Sequence, residues 1–264
     1  VQSGAVRPAA RGVRSWMGGT LLPHALGLTG PITAAQWPAA KARGLAMDAV
    51  IGQSGLEAAY DDLLRGQDGR VLINTGFDGA VRRTAQLRQA VPGAALVLTV
   101  DSSLQKTLQD ALILQIHTLQ TTKAAGAGRE CRAGAAVVVD VKTGGILAAA
   151  SVPGFDLNAC RADYAVLAAD TAAPLLDRTA QGLYAPGSAF KPAVATAALT
   201  AGIDPAATVN CTGRYGFYNG YQPGCLQYGH SGPVDLRTAL EHSCNIFFYD
   251  VGRRLGVDTF SAMA

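Results

Sequence analysis

Leu104, Leu108, Leu112, Ile116 and Leu119 recur every three or four residues, the spacing that lines one face of an α-helix. The stripe predicts a core-facing helix, and Asp101, Ser102 and Ser103 just before it supply N-cap candidates. Immediately upstream, Leu96-Val-Leu-Thr-Val100 predicts a strand leading into that helix. Residues 134–140 and 146–151 predict two more strands, joined by the hairpin turn Val141-Lys-Thr-Gly-Gly145. The apolar run 193–199 predicts a helix entering a core. Pro186-Gly187 break whatever precedes it, so that helix is expected to start at Ser188. Nearer the start, Ser54 and Glu57 have capping-box spacing and Gly66 supplies a stop, which predicts one short helix between them.

At 264 residues, 49% hydrophobic and 16% charged, the chain has the composition of a globular protein with one large domain or two smaller ones. Residues 1–92 are rich in Gly, Pro and Arg, and a new unit starts near Pro92-Gly93, so the expected division is 1–92 and 93–264. The net charge of +3 is spread thinly, with Arg82-Arg83 and Arg253-Arg254 as mere pairs. That pattern suits a solvated surface and argues against nucleic acid as a partner. The sequence has no initiating Met, no signal peptide and no run of 18 apolar residues. It reads as an internal fragment; if the parent protein has a membrane anchor, that anchor lies upstream of Val1.

The candidate chemistry is concentrated in the second half. In Tyr184-Ala-Pro-Gly-Ser188-Ala-Phe-Lys191-Pro192, a serine stands three residues before a lysine. On a helix this puts both side chains on one face, where the amine can take the hydroxyl proton. Ser188 and Lys191 are therefore expected within hydrogen-bond reach of each other, with Ser243 and Asn245 of Ser243-Cys-Asn245 beside them. A helix starting at Ser188 would also aim free N–H groups and its positive dipole end at a developing oxyanion. The plain alternative is a solvated helix face.

The pairing of Ser-x-x-Lys with Ser-x-Asn resembles the serine acyltransferases that react with β-lactams. Nearly the whole chain shares that resemblance. Leu26-Gly-Leu-Thr-Gly30, residues 52–69, 98–101, 134–158 and 186–192, and Gly229-His230 through Ser243-Cys-Asn245 to Tyr249 are similar to class B penicillin-binding proteins, the elongation-type peptidoglycan D,D-transpeptidases most of all. The resemblance implies an α+β fold, an antiparallel sheet of five strands with helices on both faces. Here it would be incomplete and preceded by part of an N-terminal pedestal or dimerisation module.

It further implies that Ser188 attacks the carbonyl between the two D-alanines of a stem peptide and that a neutral Lys191 activates it. Ser243 would relay the proton to the leaving amine, and Asn245 would bind the substrate amide and hold Lys191. The Ser188 N–H would supply half of the oxyanion hole. No cofactor is implied. The implied partners are peptidoglycan stem peptides, β-lactams, a membrane glycosyltransferase and other cell-wall elongation proteins. The implied location is the bacterial cell membrane, with the catalytic domain outside the cytoplasm.

The family's third motif, Lys-Thr-Gly, follows Ser-x-Asn on the strand lining the cleft. Lys142-Thr143-Gly144 lies upstream and matches a different family feature, an Asp-x-x-Thr-Gly turn, so Lys142 is assigned a structural role. No second Lys-Thr-Gly follows Asn245. The strand carrying it is expected beyond Ala264, and residues 1–264 alone are expected to be inactive. Two competing functions use the same serine: a β-lactam-sensing receptor domain that does not turn over, and a serine β-lactamase. The N-terminal module argues against the first. The absence of a clear Glu-containing deacylation base argues against the second.

Cys211, Cys225, His230 and Cys244 form a Cys-x13-Cys-x4-His-x13-Cys pattern around these motifs. Three thiolates and an imidazole make a closed tetrahedral set for structural zinc. A Cys211–Cys225 disulfide closing the loop between them is the alternative in an oxidising compartment, and unlinked thiols are the third. His24, His117 and His242 have no partners at ligand spacing and read as structural or surface residues.

Overall fold

The computed structural model describes residues 14–122, 128–226 and 230–263. Gly229 of the Gly229-His230 match, and residues 123–127, lie outside the described residues. The chain divides into two compact units, the first ending at Leu183 and the second beginning at Tyr184. The compositional break at Pro92-Gly93 falls inside the first.

The first unit opens with short elements: α1 (Pro23–Leu26), β1 (Thr29–Pro31), α2 (Trp37–Ala42) and β2 (Val50–Gly52). β1 and β2 pair antiparallel, with Thr29 opposite Gly52. The expected single helix after Ser54 is two, α3 (Gly55–Ala59) and α4 (Asp61–Leu64), broken at Tyr60. The capping box does not form. Ser54 is extended and its hydroxyl accepts the Leu28 N–H at 3.0 Å, while Glu57 turns to the Arg14 guanidinium in a two-point ion pair at 2.8 Å. A charged partner outcompetes a backbone N–H for a carboxylate. Gly52 is required at its position, because a Cβ there would stand 1.9 Å from the Glu57 carbonyl oxygen.

Next comes a solvent-exposed antiparallel ribbon, β3 (Arg70–Thr75) and β4 (Val81–Arg88), not foreseen from the sequence pattern. Residues 96–100 do not form the expected strand. The segment touches its neighbour at single points, Thr99 Oγ1 to the Ile146 carbonyl and the Asp101 N–H to the Leu147 carbonyl. A ladder, which would define a strand, is missing.

α5 (Ser102–Thr121) follows as expected, with Asp101 accepting the Leu104 N–H at 2.8 Å as its N-cap. It packs on the hairpin of β5 (Gly134–Val139) and β6 (Ile146–Val152). Of the leucine-isoleucine stripe, Ile116 is buried and the others are half-buried. The small residues Ala148 and Ala150 of β6 are buried. A fully buried glutamine lies in the same interface. Gln105 donates to the Ala149 carbonyl and accepts the Ala149 N–H, both at 2.8 Å, so the buried amide is satisfied.

The hairpin turn is built by Asp140, whose carboxylate accepts the Lys142 N–H and the Thr143 hydroxyl, each at 2.9 Å. These bonds, the Lys142 N–H first, hold the Asp140 carboxyl below its ordinary pKa. Gly144, at φ 74°, closes the turn. Lys142 is exposed. After α6 (Cys160–Ala169) the first unit ends.

The second unit starts with a 3-10 turn over Gly187–Phe190 and continues through α7 (Lys191–Thr200), β7 (Val209–Cys211), β8 (Gly232–Val234), α8 (Leu236–Glu241), α9 (Asn245–Leu255) and α10 (Val257–Ser261). β7 and β8 pair antiparallel, with Cys211 opposite Gly232. Asp235 caps α8 by accepting the Thr238 N–H at 2.8 Å. α7, α8 and α9 close over Ala195, Ala198, Ala239, Ile246, Phe247 and Val251, all nearly inaccessible to solvent. Burying side chains of this size contributes about 1.5–3 kcal/mol for each large one. This core holds the two halves of the candidate site together.

Candidate active site

The α-helix does not begin at Ser188. The serine sits in the 3-10 turn, where the Lys191 N–H bonds to the Ser188 carbonyl. Pro192 explains this: its ring would clash with the carbonyl four residues back, that of Ser188, if the α-helix reached so far. Residues i and i+3 of a 3-10 turn nearly eclipse, so Ser188 and Lys191 still share a face.

They do not bond to each other. Ser243 Oγ donates to Ser188 Oγ at 3.0 Å and accepts from Lys191 Nζ at 2.9 Å. The expected direct serine-lysine contact is thus replaced by a path through a second hydroxyl. Lys191 Nζ also donates to the Ser243 carbonyl at 2.6 Å and to Asn245 Oδ1 at 2.7 Å. Three acceptors match the three protons of an ammonium. Burial lowers the Lys191 pKa from its ordinary value, against an upward pull from Cys225 and Cys244. The Phe248 ring lies 5.6 Å from Nζ.

Ser243 delivers both its hydroxyl and its carbonyl to one amine because its backbone is left-handed, at φ 54°. That conformation costs a non-glycine residue about 1–2 kcal/mol, and the surrounding bonds hold it in place. Asn245, the first residue of α9, is fixed from its other end as well: Nδ2 donates to the Gly224 carbonyl at 3.1 Å. One Nδ2 proton remains for a substrate.

The loop that carries Gly224 is anchored by Tyr215, Asp250 and Arg253, the last of which the charge pattern alone assigns to a solvated surface. Tyr215 donates its buried hydroxyl to Asp250 at 3.0 Å, and Arg253 bonds both Tyr215 Oη at 2.9 Å and Asp250 at 3.1 Å. The Arg253 guanidinium also lies 4.0 Å from the Phe217 ring centre. Arg253 is therefore a structural cation, not simply a solvated one. The spacing of Asp250 and Arg253 on one helix was the available signal.

Cys211, Cys225, His230 and Cys244 do converge. Their donor atoms all lie within 4.8 Å of one another, with Cys225 Sγ 3.5 Å from His230 Nε2 and 4.0 Å from Cys244 Sγ. Donors around a tetrahedral zinc stand about 3.5–3.8 Å apart, given Zn–S near 2.3 Å. The four groups fit such an ion with little movement. All five cysteines are thiols, and burial pushes the Cys244 thiol up. The Asn245 N–H donates to Cys225 Sγ at 3.4 Å, which ties this cluster to the serine-lysine site. His242 stacks on His230 at 5.7 Å between ring centres. His24 bonds the Pro174 carbonyl and packs edge-on against Phe155.

Residues 134–264 match the family described as the penicillin binding protein transpeptidase domain, and residues 3–98 match the penicillin-binding protein dimerisation domain. The chain belongs to the penicillin-binding proteins, and its fold is that of their transpeptidases. Among similar curated proteins are the peptidoglycan D,D-transpeptidases MrdA of Haemophilus influenzae and Escherichia coli K12. Each is 33% identical, over 80% of this chain and 31% or 32% of the relative. A solved structure described as showing structural coordination of polymerization and crosslinking by a peptidoglycan synthase complex is 30% identical with a TM-score of 0.75, covering 94% of this chain and 44% of that one. The chain thus spans about a third of the length of the curated relatives it matches. Among the described residues, no helix is long and apolar enough to cross a membrane.

Proposed function

We propose that Ser188, Ser243, Lys191 and Asn245 are the acyl-transfer site of a peptidoglycan D,D-transpeptidase that penicillin acylates. The hydrogen-bonded path from Ser188 Oγ through Ser243 Oγ to Lys191 Nζ carries the reading. With Lys191 neutral, Ser243 takes the Ser188 proton and passes its own to the amine as Ser188 Oγ attacks the D-Ala-D-Ala carbonyl. The same path run backward protonates the departing D-alanine amine. A second stem peptide's amine then attacks the acyl-enzyme, and the relay restores Ser188. Asn245 holds Lys191 through Oδ1 and offers its remaining Nδ2 proton to the substrate amide. Penicillin enters because its strained amide resembles the scissile one.

The chemistry is supplied by side chains, with no cofactor in the bond-making steps. Zinc on Cys211, Cys225, His230 and Cys244 would have a structural role, fixing the loop that supports Asn245. Residues 1–92 form the non-catalytic module and 93–264 the first part of the transpeptidase domain. Similarity to the dimerisation domain over residues 3–98 supports this division and favours a biosynthetic enzyme over a sensor or a β-lactamase. The partners are stem peptides and β-lactams. A membrane glycosyltransferase and other elongation proteins join them, outside the cytoplasm of a membrane-anchored bacterial protein. Similarity to a chain from a peptidoglycan synthase complex supports that assembly. Fluorescent penicillin should label the whole protein at Ser188, located by peptide mapping. Labelling that persists in Ser188→Ala would overturn the assignment.

A further inference from the structure

Resting on the acyl-transfer reading, the thiols beside the site carry one more step. Cys225 is half-buried while Cys211 and Cys244 are buried, so a small solute meets Cys225 first. Its sulfur lies 4.0 Å from Cys244 Sγ and accepts the Asn245 N–H. Cys244 stands between Ser243 and Asn245, both of which bind Lys191. A disulfide holds its sulfurs about 2.0 Å apart, so linking this pair draws them about 2 Å together. The movement falls on the stretch of chain that holds Ser243 in its left-handed conformation.

We propose that Cys225 and Cys244 are an oxidative modification site, converted by hydrogen peroxide to a disulfide that switches off acylation at Ser188. In the net reaction both S–H bonds and the O–O bond break and one S–S bond forms. The two thiols lose two electrons and two protons, and the peroxide leaves as two waters. A dithiol reductant reverses the step by exchange, taking the disulfide into its own ring. A metal ion on the four donors occupies the same sulfur lone pairs and slows the reaction.

The test treats the whole protein, zinc-loaded or chelated, with hydrogen peroxide. Linked peptides are mapped by non-reducing mass spectrometry, and fluorescent-penicillin labelling is read before and after dithiothreitol. The expected result is a Cys225–Cys244 peptide, labelling reduced about a hundredfold as for an ångström-scale misplacement, and recovery with dithiothreitol. Linkage should be slower with zinc present. Cys225→Ser, compared with itself with and without peroxide, should show no peroxide-dependent loss. A Cys131→Ser/Cys160→Ser protein should respond like the native one. Intact thiols, a Cys211–Cys225 link, undiminished labelling of the linked protein, or peroxide sensitivity in Cys225→Ser would each overturn the proposal. Reduced protein that never labels would instead sink the acyl-transfer reading, while the peptide map still decides the disulfide.

Discussion

Ser243 allows catalysis and stability to be pulled in opposite directions. Replacing it with Ala or Gly removes the hydroxyl that spans the 3.0 Å and 2.9 Å steps between Ser188 and Lys191. Loss of a positioned proton-transfer group costs about 10²–10⁴-fold in rate. Both variants should fall by that factor in the second-order rate of acylation by fluorescent penicillin, and by the same amount as each other. Their stabilities should differ. At φ 54° an Ala keeps the left-handed strain of Ser243, and a Gly does not. The Gly variant should therefore be more stable than the Ala variant by about 1 kcal/mol. In a protein of this size or larger that is about 2–4 °C in Tm, readable by calorimetry. A Gly variant that acylates much faster than the Ala variant would mean that backbone geometry, not the hydroxyl, is what Ser243 supplies. An Ala variant within threefold of native would refute the relay.

Three further outcomes test other parts of the structure. Because burial sets Lys191 below its ordinary 10.5, acylation should rise with pH through a value under 10.5 as the amine becomes neutral. Between the two values the unfolded chain holds more protons, so this residue's contribution to stability also grows with pH; a rate independent of pH from 6 to 10, or about that range, would exclude Lys191 as the base. If zinc occupies the Cys211, Cys225, His230 and Cys244 donors, purified protein should carry about one ion per chain and chelation should lower its Tm. A metal-free protein whose Tm ignores chelators would remove zinc from the account. Gln105→Leu should cost about 1–3 kcal/mol in chemical denaturation, since it strands the Ala149 N–H and carbonyl beneath α5; an unchanged midpoint would show those groups resolvated.

What the sequence determined by itself is what chain neighbours can decide. The stripe of α5, its Asp101 cap and the Asp140 turn all rest on interactions spanning a few residues, and each formed as its pattern predicts. Ser-x-x-Lys and Ser-x-Asn were readable as chemistry for the same reason: their spacings are short. The local reading failed where distant groups competed. Glu57 left its capping position for Arg14, 43 residues away, and residues 96–100 lacked a partner strand. At the site, the links from Ser243 to Lys191 and to Ser188 span 52 and 55 residues. Only the packing of α7 against α9 decided that the serine proton travels through a second hydroxyl. The contact of α9 with β7 brings Cys244 to Cys211, and Cys225 and His230 converge on them, with Cys225 accepting the Asn245 N–H. Sequence spacing could name those four donors, but a convergence over 13-residue gaps is closed by the core alone.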